Sequence, residues 1–502
     1  MPKLFDKTFY IALGIFILTE ILSIIGFFNV FMEKPLFILI LLLTAVLGCI
    51  KYEFSVIVLI SELIIGSKGY LFSWPITQES GISIRLGIFL IVFLIGLIKI
   101  IRDCLKKEGR FIFWYSKLRN YYFLIFIVIF WGVIWALIRK ISPGDIFFDS
   151  NAYLYLGLAP ILYQLITSKA QILNLLRVFL AATAHVCLKC FVLLYIFSHG
   201  LSFAEPLYHW VRDTGFGEIT LLSGNFFRVF SQAQIYSLIG FFIAFALLIS
   251  LKNLRTKNAI GLFIISASAL SNVIFSLSRS FWVAAAGTFI ILIGVMFFKY
   301  RLKIKEVSKI KAWFFSALTI SVLLIIAVVK FPIPPVKVDL DALRHRFQIS
   351  DEAAVSSRWS QLPELGLAIA GHPIIGSGFG QTVTYITSDP RLLSEFPDGK
   401  YTTFAFEWGY LDQILKFGLA GLVIYLLYIY KIWRLGWFAA KNAVKEFERP
   451  LILGLIFGLL ALMATHMFSP YLNHPLGIGY LILIGIWFEI LPIPVVSTSS
   501  QK

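Results

Sequence analysis

The chain is predicted to be all-α, a polytopic bundle of about fourteen membrane-spanning helices with one large helical loop on the extracytoplasmic side. Three observations predict this: composition, the spacing of apolar runs, and the placement of basic residues. Of 502 residues, 59% are hydrophobic and 14% charged, with a mean hydropathy of +0.87. A soluble globule carries about 25% charge. Too little polar surface exists to cover a water-facing body of this size, so apolar side chains must face lipid.

A spanning helix needs about 20 mostly apolar residues. Such runs start near Phe9, Leu36, Phe54, Arg85, Tyr121, Ala152 and Gln171, then near Gln232, Asn258, Phe281, Ala312, Phe404, Pro450 and Pro475. The second and third, ending near Ile50 and Ile65, are short enough to form one re-entrant pair, which would lower the count to about twelve. The first run has no small-residue cleavage site before Glu33 and Lys34, so it reads as a retained span.

Lys and Arg in short loops stay cytoplasmic during insertion. The basic loops are Arg102–Asn120, Leu251–Lys257, Lys299–Lys311 and Lys431–Arg449. All four fall on one side when the runs are counted alternately, and both termini then fall on that side too. The longest loop on the other side, residues 331–403, carries six basic and eight acidic residues and lacks the positive bias. Topology thus accounts for most of the +17 formal charge. With no separate basic domain, nucleic-acid binding is disfavoured.

Residues 1–502 show no internal repeat, low-complexity tract or Gly/Ser linker, so they read as one membrane domain with the loop inserted late. The four cysteines, Cys49, Cys104, Cys187 and Cys190, all fall in spans or cytoplasmic loops and imply no exported disulfide framework. His185, Cys187 and Cys190 cluster on one span but lack a fourth zinc ligand, so they read as buried structural residues. No metal and no cofactor is expected.

The large loop enters through FPIPP, where each proline fixes its own backbone and restricts its predecessor. A helix is expected after Ser350, with Asp351 and Glu352 at its positive end, a division at Pro363 and a stop at Gly371 and Pro373. Val355, Trp359, Leu362, Leu365 and Ile369 recur at helical spacing and form an apolar face suited to a lid or cradle on the bundle.

Charge near the membrane marks a pathway or a site. Four residues on the outward side stand out: Arg228 in GNFFRVFSQAQ, Arg279 in SLSRSFW, Arg358 in SSRWSQ and Glu407 in FAFEWGY. Each arginine could simply snorkel to headgroups or lie on a solvated face. Arg279 resists that reading best, because it sits in the tightest outward turn with only Ser276, Ser278 and Ser280 as polar company.

Three segments carry a resemblance: SLSRSFWVAAAGTFIILIGVMFF, RWSQLPELGLAIAGHPIIGSGFGQT and EWGYLDQILKFGLAG. Their order and separation resemble the O-antigen ligase and polymerase superfamily, membrane glycosyltransferases that act on polyprenyl-diphosphate-linked glycans. The resemblance runs from about Gly224 to Gly421. In the third segment Glu407 and Trp408 precede Gly418 and Gly421 at the family's spacing, but the ligases place a histidine where this chain has Glu407, which favours a polymerase over a ligase.

The resemblance implies a multi-pass protein of the bacterial cytoplasmic (inner) membrane, active on its extracytoplasmic face. The glycan donor would be polyprenyl-diphosphate-linked, the acceptor a sugar hydroxyl, and other polysaccharide-assembly proteins candidate partners. Arg228, Arg279 and Arg358 would hold the diphosphate, since guanidinium pairs bidentately with phosphate oxygens and stays protonated. Arg279 and Glu407 would be catalytic, Glu407 as the base. Desolvation would raise and neighbouring arginines lower the pKa of that carboxylate.

Gly376, Gly378 and Gly380 let a backbone approach a ligand and present amides to an anion, or form an ordinary turn. His372, with Gly418 and Gly421, would support the same loop. His372, His466 and His474 are alternative acid–base groups with stronger structural readings, and His372 lies at a helix stop, where the dipole favours it. An Asp-x-Asp pair, Asp339 and Asp341, resembles a divalent-cation motif but is isolated. The rival class is a lipid-linked oligosaccharide flippase, against which stand the missing repeat and the long outer loop.

Overall fold

The computed structural model describes residues 2–76, 81–106, 110–223, 226–251, 256–298, 304–331, 353–387 and 390–492. It is 75% helix. In chain order the helices are α1 (Lys7–Phe28), α2 (Val30–Ile50), α3 (Tyr52–Ile65), α4 (Ile84–Leu105), α5 (Arg119–Ile138), α6 (Pro143–Ser150), α7 (Leu158–Leu165), α8 (Lys169–Ser198) and α9 (Ala204–Asp213). There follow α10 (Gln234–Ile249), α11 (Lys257–Phe275), α12 (Arg279–Phe298), α13 (Ile304–Lys330), α14 (Ala353–Gly371), α15 (Pro390–Leu393), α16 (Gly409–Lys441), α17 (Glu448–His466) and α18 (Pro475–Ile490).

Local sequence sets many of the boundaries. Asp6 accepts from the amides of Thr8 and Phe9 to start α1, and Ser168 with Gln171 forms a reciprocal capping box on α8. Pro475 occupies the first turn of α18, where its missing N–H costs nothing. Among the described residues, nine helices are long and apolar enough to cross a membrane, and α10, the Arg279–Val295 part of α12, and α18 are shorter apolar helices. The chain is therefore a membrane protein.

Burial separates the helices into inner and outer sets. In its most apolar stretch α17 is 72% buried, whereas α13 is only 17% buried. Nearly all of α10 and α18 is buried as well, and α10 packs closely on α11 and α17. On the outer set Leu18, Leu42, Leu94, Phe130, Phe315 and Leu323 are exposed. Exposed apolar faces of that extent mark an interaction surface and, on helices this long and apolar, suit lipid.

Contacts between loops sort the chain into two ends. At one, the Leu4 amide donates to Asn258 at 3.1 Å, Asp6 pairs with Arg177 at 3.1 Å, Asn174 donates to Glu53 at 2.8 Å and Lys169 pairs with Glu448 at 2.8 Å. At the other, the Lys68 amide reaches the Gly215 carbonyl at 3.4 Å, Ser231 reaches Ser67 at 3.3 Å and Arg139 reaches the Ser377 carbonyl at 2.7 Å. Arg228, Arg279, Arg358 and Glu407 all belong to the second end.

Several elements differ from expectation. The run near Ala152 folds as a 3-10 segment, Asn151–Gly157, followed by the short helix α7. Helix α14 passes through Pro363 without dividing, and it ends at Gly371 as expected. Residues 332–352, including most of FPIPP and the Asp339/Asp341 pair, lie outside the described residues. Three two-stranded antiparallel hairpins were not anticipated: β1 (Ser73–Pro75) with β2 (Gly81–Ser83), β3 (Gly217–Ser223) with β4 (Phe226–Ser231), and β5 (Val383–Ile386) with β6 (Lys400–Thr403). The second places Arg228 on a strand, opposite Thr220. GEITLLS and FFRVFS are rich in β-branched and aromatic residues around a Gly-Asn pair, a hairpin signal masked by the apolar run that follows.

Candidate functional site

Arg279 begins α12 after a sharply turned segment. Leu277 adopts φ +51°, a left-handed conformation that a leucine occupies only at a cost of about 1–3 kcal/mol. Serines hold it there: the Ser278 amide donates to Ser276 Oγ at 3.2 Å, and the Ser278 and Ser280 hydroxyls meet at 2.9 Å. Trp282 Nε1 reaches back to the Val273 carbonyl at 2.9 Å. The serines that accompany Arg279 in the sequence therefore fix its backbone.

Arg228 reaches the same turn. Its Nε donates to the Ser276 carbonyl at 2.9 Å, and its guanidinium stacks over Phe230 at 5.0 Å from the ring centre. Phe230 meets Phe281, which meets Tyr471. Strand β4 and the start of α12 thus bring two arginines, 51 positions apart by their numbering, around one short turn.

The other pair arrives from the large loop. Arg358 on α14 forms an ion pair with Glu407, just before α16, and both side chains are partly exposed. Solvent screening makes such a pair a weak stabiliser. Trp408 Nε1 donates to the Arg358 carbonyl at 3.0 Å, and the Trp408 ring packs on Trp359 at 5.5 Å and on Phe468 at 5.6 Å. Ser469, the next residue, meets the Ser280 hydroxyl at 3.2 Å. The turn at residues 467–474 therefore lies between the two arginine-bearing segments and joins them.

GSGFG is used differently from a ligand-binding loop. Its amides go to protein: Ser377 to the Leu415 carbonyl at 2.6 Å, Gly378 to Lys416 at 2.9 Å, and Gly380 to the Asp149 carboxylate at 2.7 Å. Gly376, Gly378 and Gly380 all have positive φ, as does Gly418, where α16 breaks with φ 72° and ψ 179°. The break is filled from the loop, since the amides of Leu419 and Ala420 donate to the Pro373 and Ile374 carbonyls at 2.9 and 3.1 Å. A Cβ on Gly418 would strike the Ile374 carbonyl. Gly418→Ala is therefore expected to destabilise the protein by about 2 kcal/mol or more, read as a lowered thermal midpoint in detergent.

Gly421 lies one turn further on, and a Cβ there would press on Phe417 and Val128. His372 sits just past the end of α14, edge-on to Trp135 at 6.1 Å. His466 Nδ1 accepts from the Leu472 amide at 3.1 Å, within the 467–474 turn, and His474 Nδ1 from the Leu476 amide at 3.3 Å, where it caps α18. Burial, with the charges of Arg85 and Lys68 nearby, pushes His474 down to about 3. Acting as an acceptor for backbone suits a neutral imidazole.

One charged cluster escaped the sequence reading. Lys416 on α16 forms ion pairs with Asp149 at the end of α6 and with Asp412 at 2.7 Å, and all three side chains are no more than 5% exposed. Asn473 donates to Asp412 at 2.5 Å and accepts from Gln413 at 2.6 Å. The cluster ties α6, the glycine loop and the 467–474 turn to the helix that follows Glu407. Lys416 and Asp412, four apart in LDQILKFG, are ionisable residues within an apolar run and could have been flagged on that ground.

Cys187 and Cys190 have separate partners: the Cys187 thiol meets Ser237 at 3.7 Å, and Gln234 donates to Cys190 at 3.5 Å. His185 instead meets Glu20, which also pairs with Lys189. No group of three His, Cys, Asp or Glu placed to hold a metal occurs among the described residues. In comparisons with known proteins, no family description and no curated protein matches the chain.

Proposed function

We propose that the protein is a membrane glycosyltransferase that transfers or polymerises a glycan from a polyprenyl-diphosphate-linked donor onto a sugar hydroxyl, most consistent with a polymerase. The observation that carries this reading is the convergence of Arg228 and Arg279 on one turn, joined through Ser469 and Phe468 to the Arg358–Glu407 pair. The leaving diphosphate is already a good anion. The enzyme's task is to stabilise charge as it develops and to activate the incoming hydroxyl.

Guanidinium groups suit the first task and a partly exposed carboxylate the second. Arg228 and Arg279 would hold the diphosphate. Arg358 would hold Glu407 in position until acceptor binding, and Glu407 would then take the hydroxyl proton. In this reading α3 and the 151–165 segment are short crossings, which brings the total to about fourteen. The basic loops then face the cytoplasm and residues 331–403 the exterior, where the four site residues lie.

The reading requires both reacting partners on one side of the lipid barrier. Single cysteines placed at Arg279 and Glu407 are expected to react with a membrane-impermeant maleimide applied from the cell exterior. Labelling of only one of them would end the transferase proposal, because no single pocket would then hold donor and acceptor.

A further inference from the structure

Three cations gather at the end of the bundle opposite the site above. Lys117 lies two positions before α5, and Arg139, just past the far end of α5, reaches the Ser377 carbonyl at the site's own end. Lys431 and Arg434 lie on α16, which packs on α5. Together with Leu435 and Phe438 of α16, these three residues line a cavity of about 210 Å³. Lys431 is half-buried, and Lys117 and Arg434 are exposed.

Among the described residues no carboxylate forms an ion pair with any of the three. Glu489 feels the charge of Lys117, but its Oε1 already accepts from the Ser116 hydroxyl at 2.9 Å, the Lys117 amide at 3.1 Å and the Tyr163 hydroxyl at 3.2 Å. The cations face rings instead. Lys117 Nζ lies 5.2 Å from the centre of Phe438, Lys431 Nζ 5.8 Å from that of Tyr121, and the Arg434 guanidinium 5.9 Å from that of Tyr430. Such contacts orient a cation without neutralising it. Lys431 and Arg434, three apart on one helix, repel each other, and Lys117 brings a third positive charge to the same cavity. An anion among them relieves that repulsion.

The surroundings of the cavity indicate where the anion comes from. Trp114, Tyr115, Tyr430 and Phe438 are exposed, as aromatic side chains are where a membrane meets water. Further into the two spans, Leu124 and Ile127 of α5 and Val423 and Leu427 of α16 are exposed as well. We infer that the cavity binds the phosphate of an anionic phospholipid, with Arg434 and the two lysines around its oxygens and the acyl chains on the exposed side chains of α5 and α16. An acidic protein segment would meet the cations but leave those apolar side chains uncovered. The site is distinct from the Arg228–Arg279 turn, and it does not depend on the reaction proposed above, because binding is read without transfer.

The test is native mass spectrometry of the purified full chain in detergent, titrated with phosphatidylglycerol, with phosphatidylcholine and with inorganic phosphate. Lys431→Gln combined with Arg434→Gln removes two cations from the cavity, whereas Lys441→Gln combined with Lys445→Gln removes two exposed cations near the same end of α16 that do not line it. Wild-type protein is expected to bind phosphatidylglycerol about tenfold more tightly than phosphatidylcholine, the first variant to lose that preference and the second to keep it. Lys117→Gln, on a separate segment, should weaken phosphatidylglycerol binding about threefold, and it gives the readout if the first variant does not fold. Equal affinity of the wild type for the two phospholipids, the same loss in both double variants, an undiminished preference in the variants that alter the cavity, or inorganic phosphate bound as tightly as phosphatidylglycerol would overturn the inference.

Discussion

Lys416→Met is expected to destabilise the protein by about 3–5 kcal/mol, because it leaves two carboxylates buried together without a cation. Asp149 arrives from α6 and Asp412 from one turn earlier on α16, and Lys416 pairs with both. Neither carboxylate can relax into water, since all three side chains are almost wholly buried. The thermal midpoint in detergent measures the loss.

A triple variant separates charge from shape. Asp149→Asn and Asp412→Asn combined with Lys416→Met remove all three charges at similar volume. The triple variant should recover most of the lost stability, because replacing a complete buried ionic group is often close to neutral. If Lys416→Met alone melts like the wild type, the cluster does not anchor α16, and the position of Glu407 at the head of that helix needs another explanation.

The second large effect concerns activity. Arg279→Ala and Glu407→Gln should each lower glycan transfer at least about a hundredfold, the scale seen when one group that stabilises transition-state charge is removed. Both variants should still insert and melt normally, because Arg279 is only partly buried and Glu407 is exposed. Arg358→Ala should cost less, as its ion pair with Glu407 is solvent-screened. Transfer assays in reconstituted vesicles give the rates; normal polymer from either of the first two variants would remove that residue from the site.

Much of this architecture can be read in the sequence, for a physical reason. Lipid imposes long apolar helices, so α1, α4, α5, α8 and α13 announce themselves by composition alone. The segment after Ala152 does not, because a 3-10 stretch and an eight-residue helix buried in protein need not satisfy the length rule. Arg279 was legible as a charge between apolar runs. The contact beside it was not, since Ser469, which meets Ser280, lies 189 positions from that serine and is brought close only by the packing of α12 on α17.

The glycine loop illustrates the same limit. Positive backbone angles at Gly376, Gly378 and Gly380 are permitted by residue type, yet nothing local tells that their segment would fill the break at Gly418. Lys416 and Asp149 stand 267 positions apart. Sequence can mark a buried ionisable residue as needing a partner, but only the fold chooses which one.

The most direct test of the proposed function uses purified protein in vesicles, supplied with a polyprenyl-diphosphate-linked repeat unit and acceptor. The account predicts a longer glycan on the acceptor with release of polyprenyl diphosphate. Movement of the lipid-linked unit across the bilayer without any lengthening would contradict it and assign the chain to transport.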